Sequence, residues 1–315
     1  MEYIILIVSI AGIVFGADNL VAGAVSIAKK FRVSDFVIGA AIVGVGTSMP
    51  EFVVSFLGAL NGNSDVAIGN VVGSNIFNVL GILGITALFC PIAVCKKNLR
   101  FEIPLCIGVS ILLTVLAFNF FNNTPPIINR LDGILLLIIF AIFMWYSFTR
   151  GRENDATSTI NNEDTTPLWM AVIKVVGGLA LLIASCDFFV DNAVLVAKSF
   201  GVSDAYISLT LIACGTSLPE LAASIVAAVK KNTDMALGNI IGSNIFNITL
   251  ILGVSSLAMP LTSFGITSID YGVMIAAAVL PLIIGFRGRI GRVNGLFMML
   301  AFVMYNLYLV KNQIV

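Results

Sequence analysis

Long apolar runs alternate with short polar breaks from one end of the chain to the other. A helix needs about 20 apolar residues to cross the ~30 Å hydrocarbon core of a bilayer. The runs that approach or exceed this length lie near residues 3–28, 36–60, 66–90, 101–121, 127–148, 168–197, 205–229, 235–258, 271–286 and 294–311. The pattern predicts an all-α integral membrane protein with ten transmembrane helices.

Residues 149–167 form the one long polar connection in this pattern. The segment is rich in Ser, Thr, Asn and charged residues, a composition typical of a disordered linker, and it is too short for a regulatory domain. It divides the chain into a first half, 1–148, and a second half, 168–315, with five predicted helices each.

The two halves repeat each other in sequence. A constant offset of 169 residues aligns them without a gap, and 18 of 33 positions from Gly46 to Asn78 are identical to their counterparts. Because five crossings is an odd number, the second copy enters the membrane from the opposite face. The sequence therefore predicts two inverted five-helix repeats, a layout that allows alternating access to a site at the membrane midplane.

The composition excludes several classes of protein. The chain is 59% hydrophobic and 11% charged, which a soluble domain would not tolerate on its surface. Its formal net charge is zero, which gives no indication of nucleic-acid binding. Histidine is absent, which removes His-based catalysis and His zinc sites, so we expect neither an enzyme nor a resident cofactor. The five cysteines form no CxxC pair and are predicted to be small core residues.

Lysine and arginine are concentrated in alternate loops. Thirteen of the seventeen lie in the segments 29–35, 94–100, 149–167, 230–234 and 287–293. The positive-inside rule assigns these loops to the cytoplasm. We therefore expect a multi-pass protein of the cell membrane with both termini on the extracytoplasmic side.

Each half carries one polar stretch that lipid alone would not tolerate, Gly46–Glu51 and Gly215–Glu220. Proline lacks an N–H and pushes against the carbonyl four residues earlier, so Pro50 should break its helix and free the Gly46 carbonyl. Thr47 and Glu51 lie four residues apart and share one helix face. A carbonyl, a hydroxyl and a carboxylate can thus converge, and hard oxygens of this kind suit Na⁺ or Ca²⁺.

A second pair of motifs follows about twenty residues later, at Gly69–Asn78 and Gly238–Asn247. In both copies a serine and an asparagine lie four residues apart on one helix face: Ser74 with Asn78, and Ser243 with Asn247. Each half therefore supplies two helices with oxygen-bearing faces.

These two motif pairs resemble the alpha repeats of the sodium/calcium exchanger family, within the cation/calcium antiporters. The similarity covers the whole ten-helix layout and matches the prokaryotic type, which lacks calcium-sensing domains. It implies that helices 2, 3, 7 and 8 are broken and surround a midplane ion site.

The resemblance also implies a set of ligands. Glu51 and Glu220 would be the principal ones, with main-chain oxygens of Thr47 and Thr216 for Ca²⁺. The side chains implied for Na⁺ are Ser48, Ser217, Ser74, Ser243, Asn78 and Asn247, together with the main-chain oxygens of Gly44 and Ala213. Potassium-dependent relatives carry aspartate at the position of Asn247, so the resemblance argues against potassium co-transport.

The functional hypothesis is an antiporter that exports Ca²⁺ in exchange for inward Na⁺, electrogenic if three Na⁺ move per Ca²⁺ as the family implies. A proton/calcium antiporter is the main alternative and a passive cation channel a remote one. The expected partners are Ca²⁺, Na⁺ and the lipid bilayer, with no protein partner and no nucleic acid.

Several side chains admit a simpler explanation. Hydroxyls of the signature stretches could bond back to their own helix. The GxxxG spacings at 69–73 and 238–242 favour helix packing. Asn70 and Asn239 could cap or bridge broken helices. Asp18, Asp187 and Asp191 could lie along an ion path, stabilise a sliding pair formed by the first and sixth helices, or sit at the outer interface.

Overall fold

The computed structural model describes residues 2–118, 127–151, 166–200, 213–262 and 265–313. These residues are almost entirely helical. The helices are α1 (Glu2–Phe31), α2 (Asp35–Thr47), α3 (Met49–Leu60), α4 (Ser64–Phe89), α5 (Asn98–Phe118), α6 (Arg130–Gly151), α7 (Leu168–Ser199), α8 (Leu218–Val229), α9 (Thr233–Ala258), α10 (Ser268–Gly285) and α11 (Arg292–Gln313).

Within the described residues, eight helices are long and apolar enough to cross a membrane, and the bent pair α2–α3 makes a ninth span. Where a predicted segment is fully described, its ends agree with the observed helix to within three residues. The seventh predicted segment is described only as Ala213–Gly215 and the twelve-residue helix α8. The all-α membrane fold is confirmed, and the count of ten stays a prediction because residues 201–212 lie outside the described part.

The signature stretch breaks its helix as the proline predicts. Ser48 leaves helical geometry with φ −82° and ψ 10°, Pro50 stands in the first turn of α3, and α2 and α3 meet at 50°. Ser217 has the same local geometry, φ −94° and ψ 9°, before Pro219 in α8. The two copies therefore fold alike, and each begins a short helix with its glutamate in the first turn.

The third and eighth predicted helices are interrupted in a different way. α4 and α9 are not sharply bent, but each switches to π-helical hydrogen bonding, over Phe77–Leu83 in α4 and Asn247–Ile251 in α9. Such π segments inside α-helices frequently mark functional sites. Both begin at or beside the asparagines Asn78 and Asn247, so the predicted interruption takes the form of a change in helical pitch.

The most buried of the eight long helices, α4 and α9, carry the second pair of motifs. In α4 and α9, 83% of the central window lies inside the protein, against 11–39% in the other long helices. Gly238 and Gly242 of α9 pack so closely on Phe36 and Ala40 that a Cβ would clash with their backbone. The predicted packing role of this GxxxG pair is confirmed, whereas the positions that correspond to Phe36 and Ala40 in the second half lie outside the described residues.

α1 and α7 form a long antiparallel pair beside this core. A Cβ on Gly16 would lie 2.7 Å from the Leu182 nitrogen, and one on Gly178 would lie 2.6 Å from the Leu20 nitrogen. The outer faces of both helices are lined with exposed apolar side chains, such as Ile7 on α1. The pair therefore presents one surface to lipid and another to the bundle.

Two short antiparallel ribbons join the halves at their loops. Ile92–Ala93 (β1) pairs with Arg289–Ile290 (β4), and Ile127–Ile128 (β2) pairs with Leu261–Thr262 (β3). Each ribbon takes one strand from each half.

All five cysteines are free, but Cys95 is exposed, so the expectation of a core position was wrong for that residue.

Candidate ion-binding site

The two signature glutamates face each other across the repeat boundary. Ser217 Oγ donates a hydrogen bond to Glu51 Oε1 at 2.7 Å, and Ser48 Oγ donates one to Glu220 Oε1 at 2.8 Å. Each carboxylate is therefore held by the serine of the opposite half. Both glutamates are only 1% exposed and both serines are fully buried.

Several buried oxygens of the two motif pairs, including one on each glutamate, have no hydrogen-bond partner among the described residues. They are Glu51 Oε2, Glu220 Oε2, Asn78 Oδ1, Asn247 Oδ1 and Thr216 Oγ1. Four of the five form two pairs related by the 169-residue offset. Buried polar atoms are nearly always satisfied in proteins, so a symmetric group of unpaired acceptors indicates a place for a donor or a cation.

The charge of this region points to a cation. Two ionised carboxylates, buried and close together, would be strongly destabilising without a compensating charge. The hydroxyls of Ser48 and Ser217, which donate to the carboxylates, carry no charge. Within the described residues, no group of three or more His, Cys, Asp or Glu side chains is placed so that it could hold a metal ion. The region is therefore a mixed carboxylate, amide and hydroxyl set, which suits hard cations rather than zinc.

Thr47 and Thr216 are the threonines of the two signature stretches. Thr47 Oγ1 donates to the Val43 carbonyl at 3.0 Å, so its hydroxyl bonds back to its own helix as the simpler explanation predicts. The Thr47 hydroxyl also lies 3.4 Å from Asn239 Oδ1 of the second half. Thr216 Oγ1 is buried without a partner among the described residues, and the residue that corresponds to Val43, at position 212, lies outside them. The expected main-chain role of both threonines stays a prediction.

The remaining predicted ligands also lie in the core. Ser243 Oγ donates to the Gly44 carbonyl at 3.4 Å, which joins α9 to α2. The same carbonyl accepts the Ser48 amide at 3.0 Å. Ser74, the counterpart of Ser243, is 4% exposed. The side chain of Ala213 lies outside the described part, so its expected main-chain role stays a prediction.

A pair of asparagines fixes the first turns that carry the glutamates. Asn70 Nδ2 donates to the Glu51 carbonyl at 3.1 Å and to Ser55 Oγ at 2.9 Å. Asn239 makes the equivalent bonds to the Glu220 carbonyl at 3.2 Å and to Ser224 Oγ at 2.8 Å. The bridging role considered for these asparagines is confirmed. Sequence reasoning missed Ser55 and Ser224, although the 169-residue repeat contained the signal.

A second set of amides joins α4 to α9. Asn75 Nδ2 donates to the Asn244 carbonyl and Asn244 Nδ2 donates to the Asn75 carbonyl, both at 3.3 Å. Asn78 Nδ2 then donates to Asn244 Oδ1 at 3.0 Å, and Asn247 Nδ2 donates to Asn75 Oδ1 at 3.2 Å. All four side chains are at most 2% exposed. Asn75 and Asn244 were not among the predicted site residues.

The other membrane carboxylates lie apart from this cluster. Asp18 of α1 forms an ion pair with Lys230 at 2.6 Å, and Lys230 also donates to the Asp18 carbonyl at 3.1 Å. Asp187 and Asp191 of α7 are exposed. The structure therefore links Asp18 to the end of α8, which favours a role in helix positioning among the alternatives left open by the sequence.

Comparison with known proteins identifies the family. The family model described as sodium/calcium exchanger protein matches residues 1–149 and 170–311. The chain is 40% identical to CaxA of Alkalimonas amylolytica over 98% of both chains, and 33% identical to the sodium/calcium exchanger MaX1 of Methanosarcina acetivorans over 97% of both. A solved structure of the sodium-calcium exchanger NCX_Mj, soaked with zero Na⁺ and Ca²⁺, superposes with a TM-score of 0.84 at 30% identity over 98% of both chains. The chain therefore belongs to the sodium/calcium exchanger family.

Proposed function

We propose that this protein exports Ca²⁺ in exchange for inward Na⁺ by alternating access at one oxygen-lined site. The observation that carries the proposal is the symmetric group of unpartnered buried oxygens on Glu51, Glu220, Asn78 and Asn247. Membership of the sodium/calcium exchanger family supports the same two ions as substrates.

The arrangement of the carboxylates explains how a cation would be received. Each glutamate uses Oε1 to accept a serine hydrogen bond and keeps Oε2 unpaired. The serine bonds hold both side chains in place before any ion arrives, so little reorganisation is needed on binding. Such preorganisation raises affinity because the ordering has already occurred on folding.

Competition for these ligands provides the coupling. Two ionised glutamates give the site a charge of about −2, which one Ca²⁺ neutralises. Several Na⁺ ions can share the same carboxylate, amide and hydroxyl oxygens, so occupancy by one cation excludes the other. An unloaded site would carry two bare carboxylates through a low-dielectric region, which is costly, and therefore only loaded states switch.

The remaining features of the proposal follow the sequence and the family. Exchange is electrogenic with three Na⁺ per Ca²⁺ and independent of K⁺, because an uncharged Asn247 replaces the aspartate of potassium-dependent relatives. The long pair α1–α7 is the moving element. The protein lies in the cell membrane with both termini outside, and Ca²⁺, Na⁺ and lipid are its partners.

The decisive experiment is Ca²⁺ flux in proteoliposomes loaded with Na⁺, K⁺ or neither, with and without a proton gradient. Ca²⁺ uptake that requires internal Na⁺ and is unaffected by K⁺ supports the proposal. Uptake driven by a proton gradient without Na⁺ would transfer the protein to the proton/calcium class. Conductance far above carrier turnover, with no obligatory counter-ion, would indicate a channel.

A matched pair of variants tests the site itself. Glu51→Gln removes one buried carboxylate of the cluster, and Glu102→Gln removes a carboxylate that is equally buried, 2% exposed, but lies beside Lys97 at the start of α5. Breaking a buried charge pair costs about 3–5 kcal/mol, so Ca²⁺ affinity should fall more than about 100-fold in E51Q. E102Q should bind Ca²⁺ like the wild type. Substantial counterflow in E51Q would show that the ligands are wrong.

A further inference from the structure

The amides of Asn78 and Asn247 have a definite orientation in the site. An asparagine can serve a cation only through Oδ1, because Nδ2 carries two hydrogens and accepts nothing. In both residues Nδ2 is engaged by an acceptor, Oδ1 of Asn244 or of Asn75. The opposite end, Oδ1, is the atom without a partner in both. Which end faces the ion is thus decided by the neighbouring asparagine.

The orientation of those neighbours is decided in turn by the backbone. Asn75 and Asn244 each place Nδ2 on the other's main-chain carbonyl. A carbonyl can only accept, so the amide end must lie there, and a flipped side chain would set oxygen against oxygen. Oδ1 of each residue is therefore directed at Asn247 or Asn78. The main-chain carbonyl therefore fixes the orientation of the Asn75 or Asn244 amide. That amide in turn fixes the orientation of Asn247 or Asn78.

We propose that Asn75 and Asn244 are positioning residues that hold Asn247 and Asn78 with their oxygens toward the transported cation. This inference rests on the proposed ion site. It assigns a function to two residues that contact no ion. Partners of metal ligands act in this way when they fix the orientation of the ligand, and their removal typically costs about 10- to 100-fold in metal affinity.

The competing explanation is that the four amides only join α4 to α9. Under that explanation, the loss of Asn75 weakens the helix contact whatever stands at position 247. Under the positioning role, the loss matters because the amide of Asn247 can rotate its nitrogen toward the ion. An aspartate at position 247 carries oxygen at both ends and cannot present the wrong atom.

The test measures Ca²⁺ and Na⁺ binding to the purified full-length protein by isothermal titration calorimetry. Asn75→Leu keeps the side-chain shape and removes both hydrogen bonds. Its affinity should fall about 10- to 100-fold relative to wild type. The double variant N75L/N247D should bind no more weakly than N247D alone, because Asn75→Leu also removes the Asn75 oxygen that would face the aspartate. The mirror set, N244L and N78D, should behave in the same way.

Three results would overturn the inference. One is unchanged affinity in N75L. Another concerns the affinity lost when Asn75→Leu is added to N247D. If this loss is as large as the loss that Asn75→Leu causes in the wild type, the inference is wrong. The third is unchanged affinity in the mirror variant N244L, which removes the acceptor for Asn78 Nδ2. N244L also decides the matter if N75L does not fold.

The binding readout separates this inference from the proposed function. Wild-type protein that binds Ca²⁺ and Na⁺ but shows no Na⁺-dependent Ca²⁺ flux would contradict the exchange proposal and leave the amide test intact. Flux in the wild type, with affinity in N75L equal to that of the wild type, would contradict the positioning role alone.

Discussion

Replacing Lys230 by asparagine should shift the balance between the two access states of the proposed exchange cycle. Lys230 caps the end of α8 and pairs with Asp18 of α1, so the ion pair connects the long pair α1–α7 to a helix that carries a site glutamate. By the 169-residue offset the counterparts are Asn61 and Asp187. An uncharged amide at position 61 cannot form an ion pair. The two halves thus differ in a contact that movement of α1 would break.

The expected size of the shift in the ratio of states depends on how exposed the ion pair is to solvent. The side chains of Lys230 and Asp18 are 37% and 53% exposed, so solvent screens their attraction despite the 2.6 Å separation. Pairs of this kind contribute about 0.2–1 kcal/mol, which corresponds to about a 1.4- to 5-fold change in the ratio of states. The effect should shrink as ionic strength rises.

The ratio of the two states can be measured from the distance between spin labels at Val14 and Val229, which are both exposed. The labels are attached to cysteines introduced at these positions in a protein whose native cysteines have been replaced. Lys230→Asn should lower the population of the state in which α1 lies against the end of α8. Asn61→Lys should do the same, because it creates the missing contact for Asp187 in the opposite state.

Lys231→Asn is the matched control. It removes the same charge one residue away, at a backbone φ of 64° that asparagine tolerates. The reasoning is refuted if K230N and N61K leave the ratio of states unchanged, if they shift it in opposite directions, or if K231N has the effect of K230N.

Three further outcomes are expected. Ser217→Ala removes the donor to Glu51 Oε1, so Ca²⁺ affinity measured by calorimetry should change by more than in Ser224→Ala, whose hydroxyl accepts from Asn239. Equal changes would contradict the role of the cross-repeat bond. Gly178→Leu places a side chain against the backbone of α1, so the melting temperature should fall by several degrees and exchange should stop. The same change at Gly177, where a Cβ meets nothing within 4 Å, should be tolerated. Cys95, exposed in a basic loop, should react with an impermeant maleimide only after the cells are permeabilised, and labelling of intact cells would reverse the proposed orientation.

The fold could be predicted from the sequence because lipid leaves few alternatives. A chain in hydrocarbon must satisfy its backbone internally, so apolar length translates into helices with little ambiguity. Proline and the internal repeat then indicated the break at Ser48 and its copy at Ser217. The pitch change in α4 and α9 was not predictable, because no residue type signals a π segment as proline signals a break.

The site could be predicted in part. Residue type and repetition singled out Glu51 and Glu220 as candidate ligands, since carboxylates are rare at membrane depth. The bonds of Ser48 and Ser217 to the opposite glutamates depend on how two distant helices meet, and no local pattern encodes that. The pairing of Asp18 with Lys230 was missed for the same reason.

The crossed serine–glutamate bonds have a consequence for the assembly of the protein. Each half supplies the hydroxyl that the carboxylate of the other half requires. A single five-helix half made alone would leave its glutamate without that donor. Two separate copies of a half could make both bonds only if they were inserted in opposite directions, and a single polypeptide that carries both halves ensures this pairing.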